Sequence, residues 1–222
     1  MARALPRRNA IRARFGATAL LAVLASLSAC TQAGADDADA PAAETSAQPD
    51  QAQMSAMLAK WPADAQTAAA DMMTKYGPPQ EVTDSLLIWR NNGPWKYTMI
   101  SNVATQHDFP GPHKDVMEQG IDYAVAPDKV DDLAMYDGSV TVDRTQGQIA
   151  ARCDKEGANF LALNLANDVA TGSKTVAGAR DYYAKAIEGF KKTGRMDPYM
   201  ERLTFAPKAN SGFKDIPAPM AK

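Results

Sequence analysis

The only two histidines of the 222-residue sequence stand six positions apart in His107-Asp108-Phe109-Pro110-Gly111-Pro112-His113-Lys114-Asp115, and Glu118 follows three residues later. Neutral imidazole and carboxylate are ligands of zinc and other divalent ions, and the same groups serve acid/base catalysis. The pattern nominates His107, His113 and Asp115 as metal ligands, and His107, Asp108, His113, Asp115 and Glu118 as a catalytic set. A rigid Pro-Gly-Pro step would hold the two rings at a fixed separation. No established zinc spacing is reproduced, and His-Glu-x-x-His is absent. The competing reading makes these residues loop braces, with His113 preceding a short helix over Lys114–Gly120 and Asp115 in its first turn, favoured by the helix dipole. A divalent metal is the one cofactor the residues suggest.

Cys153 invites a second chemistry, a thiolate nucleophile with His107 or His113 as base. It falls at the end of a strand-like run in phase with Ile149 and Ala151, which favours a small buried hydrophobe. Arg152, Asp154, Glu156, Asn159, Asn164 and Asp168 surround the apolar stretch 160–165, and a hydrogen-bond network is expected there in preference to a ligand pocket. Trp61 and Trp95-Lys96-Tyr97 would suit stacking on a glycan or peptide if exposed, but their strand phase favours the core.

Three look-alikes carry no chemistry. Gly172-Ser173-Lys174-Thr175 ends like a phosphate loop, yet it lacks the first glycine and follows an apolar helix. Ser211-Gly212-Phe213-Lys214 and Lys192-Thr193-Gly194 mimic penicillin-binding signatures in reversed order. No Gly-x-Ser-x-Gly turn is present.

The elements that must position these residues are legible in the periodicities. Ala65, Ala69, Met72 and Tyr76 recur at helical spacing and stop at Gly77-Pro78-Pro79. Residues 86–90 and 95–103 form a hairpin around Asn91-Asn92-Gly93, with Trp95, Tyr97, Met99 and Val103 on one face. His107–His113 follows as a loop, then an alternation of Ile121, Tyr123 and Val125. Pro127 opens a short helix through Val130 and Leu133 that stops at Asp137-Gly138. Residues 139–144 and 148–153 pair across Thr145-Gln146-Gly147. The apolar stretch 157–171, closed by Gly172, suits a buried helix. Val176, Ala179, Tyr183, Ile187 and Phe190 line one face of the last long helix, which ends at Gly194. Hairpins followed by helices indicate an α+β fold, a single domain whose antiparallel sheet is built from hairpins with the helices packed on one face.

The domain occupies 54–206, a length that can bury about two-thirds of its unfolded surface. Before it, 30–53 has no aromatic or large aliphatic residue and reads as a disordered acidic tether, about 25 Å in r.m.s. span. After it, 207–222 is a Pro-containing flexible tail. The composition, 45% hydrophobic and 23% charged, is globular. The formal charge of −2 hides an asymmetry, because five arginines and no acid lie in the first 29 residues; without them 19 basic residues face 26 acidic ones, a charge of −7. Such an excess repels nucleic-acid backbones, so a nucleic-acid partner is excluded.

Residues 1–29 read as an export signal, with a basic start and an uncharged apolar run from Phe15 to Ala29. Fifteen residues at ~1.5 Å each span about 22 Å, short of the roughly 30 Å hydrocarbon core of a bilayer. The run ends in Leu27-Ser28-Ala29-Cys30, which resembles the lipobox of bacterial lipoproteins. The resemblance covers only this signal and implies cleavage before Cys30, acylation of its sulfur and amino group, and a lipid bilayer as partner. Thr31 rather than Asp after the cysteine implies the outer membrane, facing the periplasm, in a Gram-negative envelope. Acylation of Cys30 would leave Cys153 without a disulfide partner. The function expected is that of an envelope lipoprotein acting by binding or structurally, with an envelope protein or cell-wall component as further partner. The alternative is a metal-dependent or acid/base envelope hydrolase using the His107–His113 loop.

Overall fold

Six antiparallel strands are laid down in the order β1-β2-β3-β4-β6-β5, and every helix that touches the centre of the sheet does so from one side. The computed structural model describes residues 50–208 and Gly212. Cys30, the signal and nearly all of the tether, and the tail past Lys208 except Gly212, lie outside the described residues. Among those described, no helix is long and apolar enough to cross a membrane.

Helix α1 (Gln51–Leu58) opens with Asp50, whose carboxylate accepts from the Gln53 backbone N–H while the Gln53 side chain accepts from that of Asp50. Its first turn thus falls inside the stretch that composition assigns to the tether, because this reciprocal cap satisfies backbone donors without a buried apolar residue. Helix α2 (Ala63–Tyr76) ends where expected, at Gly77 with φ +79°, and Trp89 donates its indole N–H to the Gly77 carbonyl. Strands β1 (Glu81–Val82), β2 (Leu86–Asn92) and β3 (Trp95–His107) follow, and α2 buries Ala65, Ala69 and Met72 against Leu87, Trp89, Ile100 and Met117.

The phase expected for β3 is corrected. Thr98 and Ile100 face the helices, whereas Tyr97 and Met99 lie on the open face and Val103 is exposed. Trp95 alone of the expected set is buried; the irregular turn, with Asn91 at φ +51°, leaves it stacked on Phe160 at 4.6 Å. Trp61 is buried too, so neither tryptophan is offered for stacking.

A second correction matters more for the site. The residues expected as a helix, Lys114–Gly120, belong to strand β4 (His113–Asp122), which pairs with β3 from Tyr97↔Gly120 to His107↔His113. Polar residues hide the strand period here, because Asp115 and Gln119 occupy inward positions that an apolar pattern would fill. Gln119 is bonded from both sides: its amide donates to Thr98 Oγ1 at 3.1 Å and its carbonyl accepts from Asn159 at 3.0 Å. On the open face the Tyr97 ring lies across Gly120, where any Cβ would meet it at 2.3 Å.

After a 3-10 turn at Pro127–Lys129 come α3 (Val130–Tyr136), β5 (Val140–Asp143) and β6 (Gln148–Cys153), the second hairpin turning at Gly147 with φ +67°. Helix α4 (Glu156–Ala170) is buried around most of its circumference, between the sheet and α5 (Val176–Thr193), and α6 (Pro198–Glu201) packs on α4. The network expected around α4 is present. Asn164 donates to the Tyr199 and Arg202 carbonyls and accepts from the Thr204 N–H and hydroxyl, which ties the end of the domain to its central helix. The fold is thus α+β, an antiparallel sheet with helices on one face.

Candidate metal centre

Antiparallel pairing sets His107, the last residue of β3, directly opposite His113, the first of β4, with ring centroids 4.9 Å apart. Asp115 lies two residues further along β4 and therefore on the same face as His113. The connection between the strands, 108–112, contains a cis Phe109–Pro110 bond and folds over the helix face. Phe109 fixes it there, packed 5.1 Å from Tyr183 of α5, with the Arg180 guanidinium 3.8 Å over its ring. Arg180 in turn donates to the Tyr136 carbonyl at the end of α3.

This arrangement brings ligand atoms of His107, His113 and Asp115 within 4.8 Å of one another. His113 Nε2 is 3.2 Å from Asp115 Oδ1, and His107 Nδ1 is 3.4 Å from Asp115 Oδ2. Despite these short separations, His107 Nδ1, His113 Nε2 and Asp115 Oδ1 are all buried without an aligned hydrogen bond. Four ligands at about 2.0–2.1 Å around a tetrahedral zinc ion are themselves separated by about 3.3–3.4 Å. The two histidine–carboxylate separations are near that value, as they also are in an ion pair, and the three groups together lie within 4.8 Å.

The other nitrogen of each ring faces an acceptor. His113 Nδ1 lies 2.9 Å from the Gly111 carbonyl, which can only accept, so Nδ1 carries a proton and Nε2 faces the cluster. His107 Nε2 faces Asp137 Oδ1 at 3.5 Å. Asp137 is the C-terminal cap of α3, buried, and fixed by the N–H and hydroxyl of Ser139, both at 2.8 Å. A carbonyl or carboxylate behind each imidazole is the support that metal-binding histidines require. Sequence alone marked Asp137 only as a helix terminator, and nothing in its spacing connects it to His107.

Two nominated residues fall outside the cluster. Glu118 is three residues from Asp115, a spacing that shares a helix face but opposite strand faces, and on the open side it accepts from the Tyr97 hydroxyl at 2.6 Å. Asp108 points out of the connection and accepts from the exposed Gln106 amide. The catalytic set of five thus reduces to His107, His113 and Asp115 on one face.

In the metal-free protein the His113 imidazole is pushed up to about 11, first by the Asp115 carboxylate and then by Cys153 and the Gly111 carbonyl. Cys153, buried in phase with Ala151 as expected, is a free thiol whose ionisation is pushed up by burial, and it leans on Asp154 Oδ1 at 3.4 Å. Burial, the larger effect on the Cys153 thiol, is opposed by the neighbouring His113 imidazole, and the position in phase with Ala151 fits the small buried hydrophobe expected there.

No family model matches the chain, and no curated protein or solved structure is significantly similar to it.

Proposed function

We propose that the protein is an envelope lipoprotein, anchored through acylated Cys30, whose domain binds a divalent transition ion at His107, His113 and Asp115. The observation that carries the metal reading is the burial of three convergent donor atoms, one from each residue, with no aligned partner. A cation placed among them would engage lone pairs that the His113–Asp115 and His107–Asp115 ion pairs leave without an aligned hydrogen bond. Two imidazoles and one carboxylate suit zinc or a neighbouring first-row ion better than magnesium or calcium, which prefer all-oxygen shells. When bound, the ion would supply a Lewis-acidic charge. The chain's own contribution is to orient the donors, through Gly111 behind His113 and Asp137 behind His107.

Binding is favoured over hydrolysis because the extra carboxylates the hydrolase reading needs, Asp108 and Glu118, point away from the cluster. The anchor rests on the lipobox match at Leu27–Cys30. Thermal unfolding with and without zinc tests the metal reading. A saturating ion should raise the melting temperature of the wild type and leave His113→Ala unmoved. An equal rise in both would refute it.

A further inference from the structure

On the open face of the sheet, strand register places Arg90, Tyr97, Gly120, Ala150 and Thr141 in one row across β2, β3, β4, β6 and β5. Gly120 carries no side chain and the Tyr97 ring lies over it, while Ala150 beyond it is the floor of a cleft of about 470 Å³. Tyr97 is half-buried and forms one wall, its ring fixed by Gly120 beneath and by its hydroxyl, which donates to Glu118 at 2.6 Å. On the β5–β6 side the lining is a run of planar polar groups. Gln148 donates its amide to Gln146 at 3.0 Å, and Gln146 donates its own to Asp143 at 2.8 Å. The two cations of the lining are paired with carboxylates outside it, Arg90 with Glu81 and Lys96 with Asp122, each at 2.6 Å.

We propose that this cleft binds a neutral oligosaccharide, with one pyranose ring against Tyr97 and its hydroxyls hydrogen-bonded by Gln148, Asp143 and Arg90. A pyranose with equatorial hydroxyls has a flat C–H face and a polar edge, and a tyrosine ring beside amide and carboxylate groups is the complement of both. The polar groups have capacity left. Arg90 uses Nε for Glu81 and keeps its other N–H donors, and Gln148 keeps its carbonyl as an acceptor while its amide serves Gln146. Because each is already held by a partner, little side-chain freedom is lost on binding. Paired cations give an anion no surplus charge to meet, and an apolar tail would find mostly polar side chains. The volume falls within the roughly 300–1,000 Å³ of ligand pockets. The sequence suits Tyr97 to glycan stacking only if exposed, and its true phase on β3 puts it on the open face. The cleft shares no residue with the His107–His113–Asp115 cluster, so it stands independently of the metal reading.

Triacetylchitotriose and cellotriose are the probes, with glycerol as a control that has hydroxyls and no ring. Titrating the full-length protein with at least one of the trisaccharides should shift the backbone amide resonances of Tyr97, Gln148 and Ala150 saturably and leave those of the 108–112 connection in place. Glycerol at the same concentration should shift neither set. Tyr97→Leu keeps an apolar side chain over Gly120 and removes the aromatic face, and it should weaken binding at least tenfold. Thr141→Arg, at an exposed position of the row, should do the same by obstruction and leaves the Tyr97 contacts intact. Amides indifferent to both trisaccharides overturn the proposal, as does an affinity unchanged in Thr141→Arg or in a folded Tyr97→Leu protein. Equal shifts from glycerol overturn recognition of a sugar ring.

Discussion

His107 and His113 form a directly opposed pair at the open end of the β3–β4 hairpin, and each turns one ring nitrogen toward Asp115 and the other toward a fixed acceptor. The pairing converts a six-residue separation in sequence into a 4.9 Å separation of rings. The strands are held by the sheet and the connection by Phe109, so the three side chains are positioned by the fold itself.

Removing the support behind a ligand should weaken metal binding without abolishing it. Asp137→Asn keeps the shape of the side chain and removes its charge beside His107 Nε2. Zinc affinity is expected to fall about 10–100-fold, the usual effect of losing such a partner. Competition against a chromophoric chelator reads this directly, and an unchanged affinity would remove Asp137 from the account.

The residues outside the cluster supply the matching control. Glu118→Gln and Asp108→Asn should leave zinc affinity within about twofold, since neither side chain faces the donors. Cys153→Ser should also retain a full equivalent of metal, because the thiol is not one of the three converging groups. Loss of metal in the cysteine variant would make Cys153 a ligand.

Much of this was readable in the sequence and part was not, for physical reasons. Gly77, Gly147 and Gly194 each ended an element where the chain requires positive φ, so the α2, β5–β6 and α5 boundaries followed from residue type. The failure at 114–120 has a single cause. Asp115 and Gln119 point inward because one belongs to the polar cluster and the other bonds Thr98 and Asn159, and an inward polar residue breaks the alternation by which a strand is recognised. The same error grouped Glu118 with Asp115. His107, His113 and Asp115 were legible as residue types, whereas the placing of Asp137 beside His107 depends on tertiary packing that spacing does not encode.

Acidity should act in opposite directions on the metal-free and metal-bound protein. Without metal, His113 has a folded value of about 11 against 6.5 for the free side chain, so the stabilisation from its partners is fully present below about 6.5 and is lost as pH rises toward 11. Urea unfolding of chelator-treated protein should therefore show stability falling between pH 7 and pH 10, and His113→Gln should flatten that slope. With zinc, the proton on His113 Nε2 must leave, so affinity should rise with pH, and calorimetry near pH 7 in buffers of different ionisation enthalpy should register a released proton. A zinc affinity independent of pH would contradict ligation by His113.

Stability and metal binding should separate at Asn164. Its amide makes four hydrogen bonds to the segment 199–204, so Asn164→Ala should cost about 2–4 kcal/mol of unfolding free energy. The folded variant should still bind one zinc, because none of the donors touches this network. Denaturant melts together with metal content check both halves. A destabilisation below about 0.5 kcal/mol would show that these bonds do not hold the domain end in place.

The most direct test is elemental analysis of the purified full-length protein after dialysis against excess zinc and removal of free ion. One equivalent of zinc in the wild type, and less than a tenth in a folded His107→Ala/His113→Ala variant, is the predicted result. Equal metal content in the two proteins, or none in the wild type, would contradict the assignment of His107, His113 and Asp115 as a metal centre.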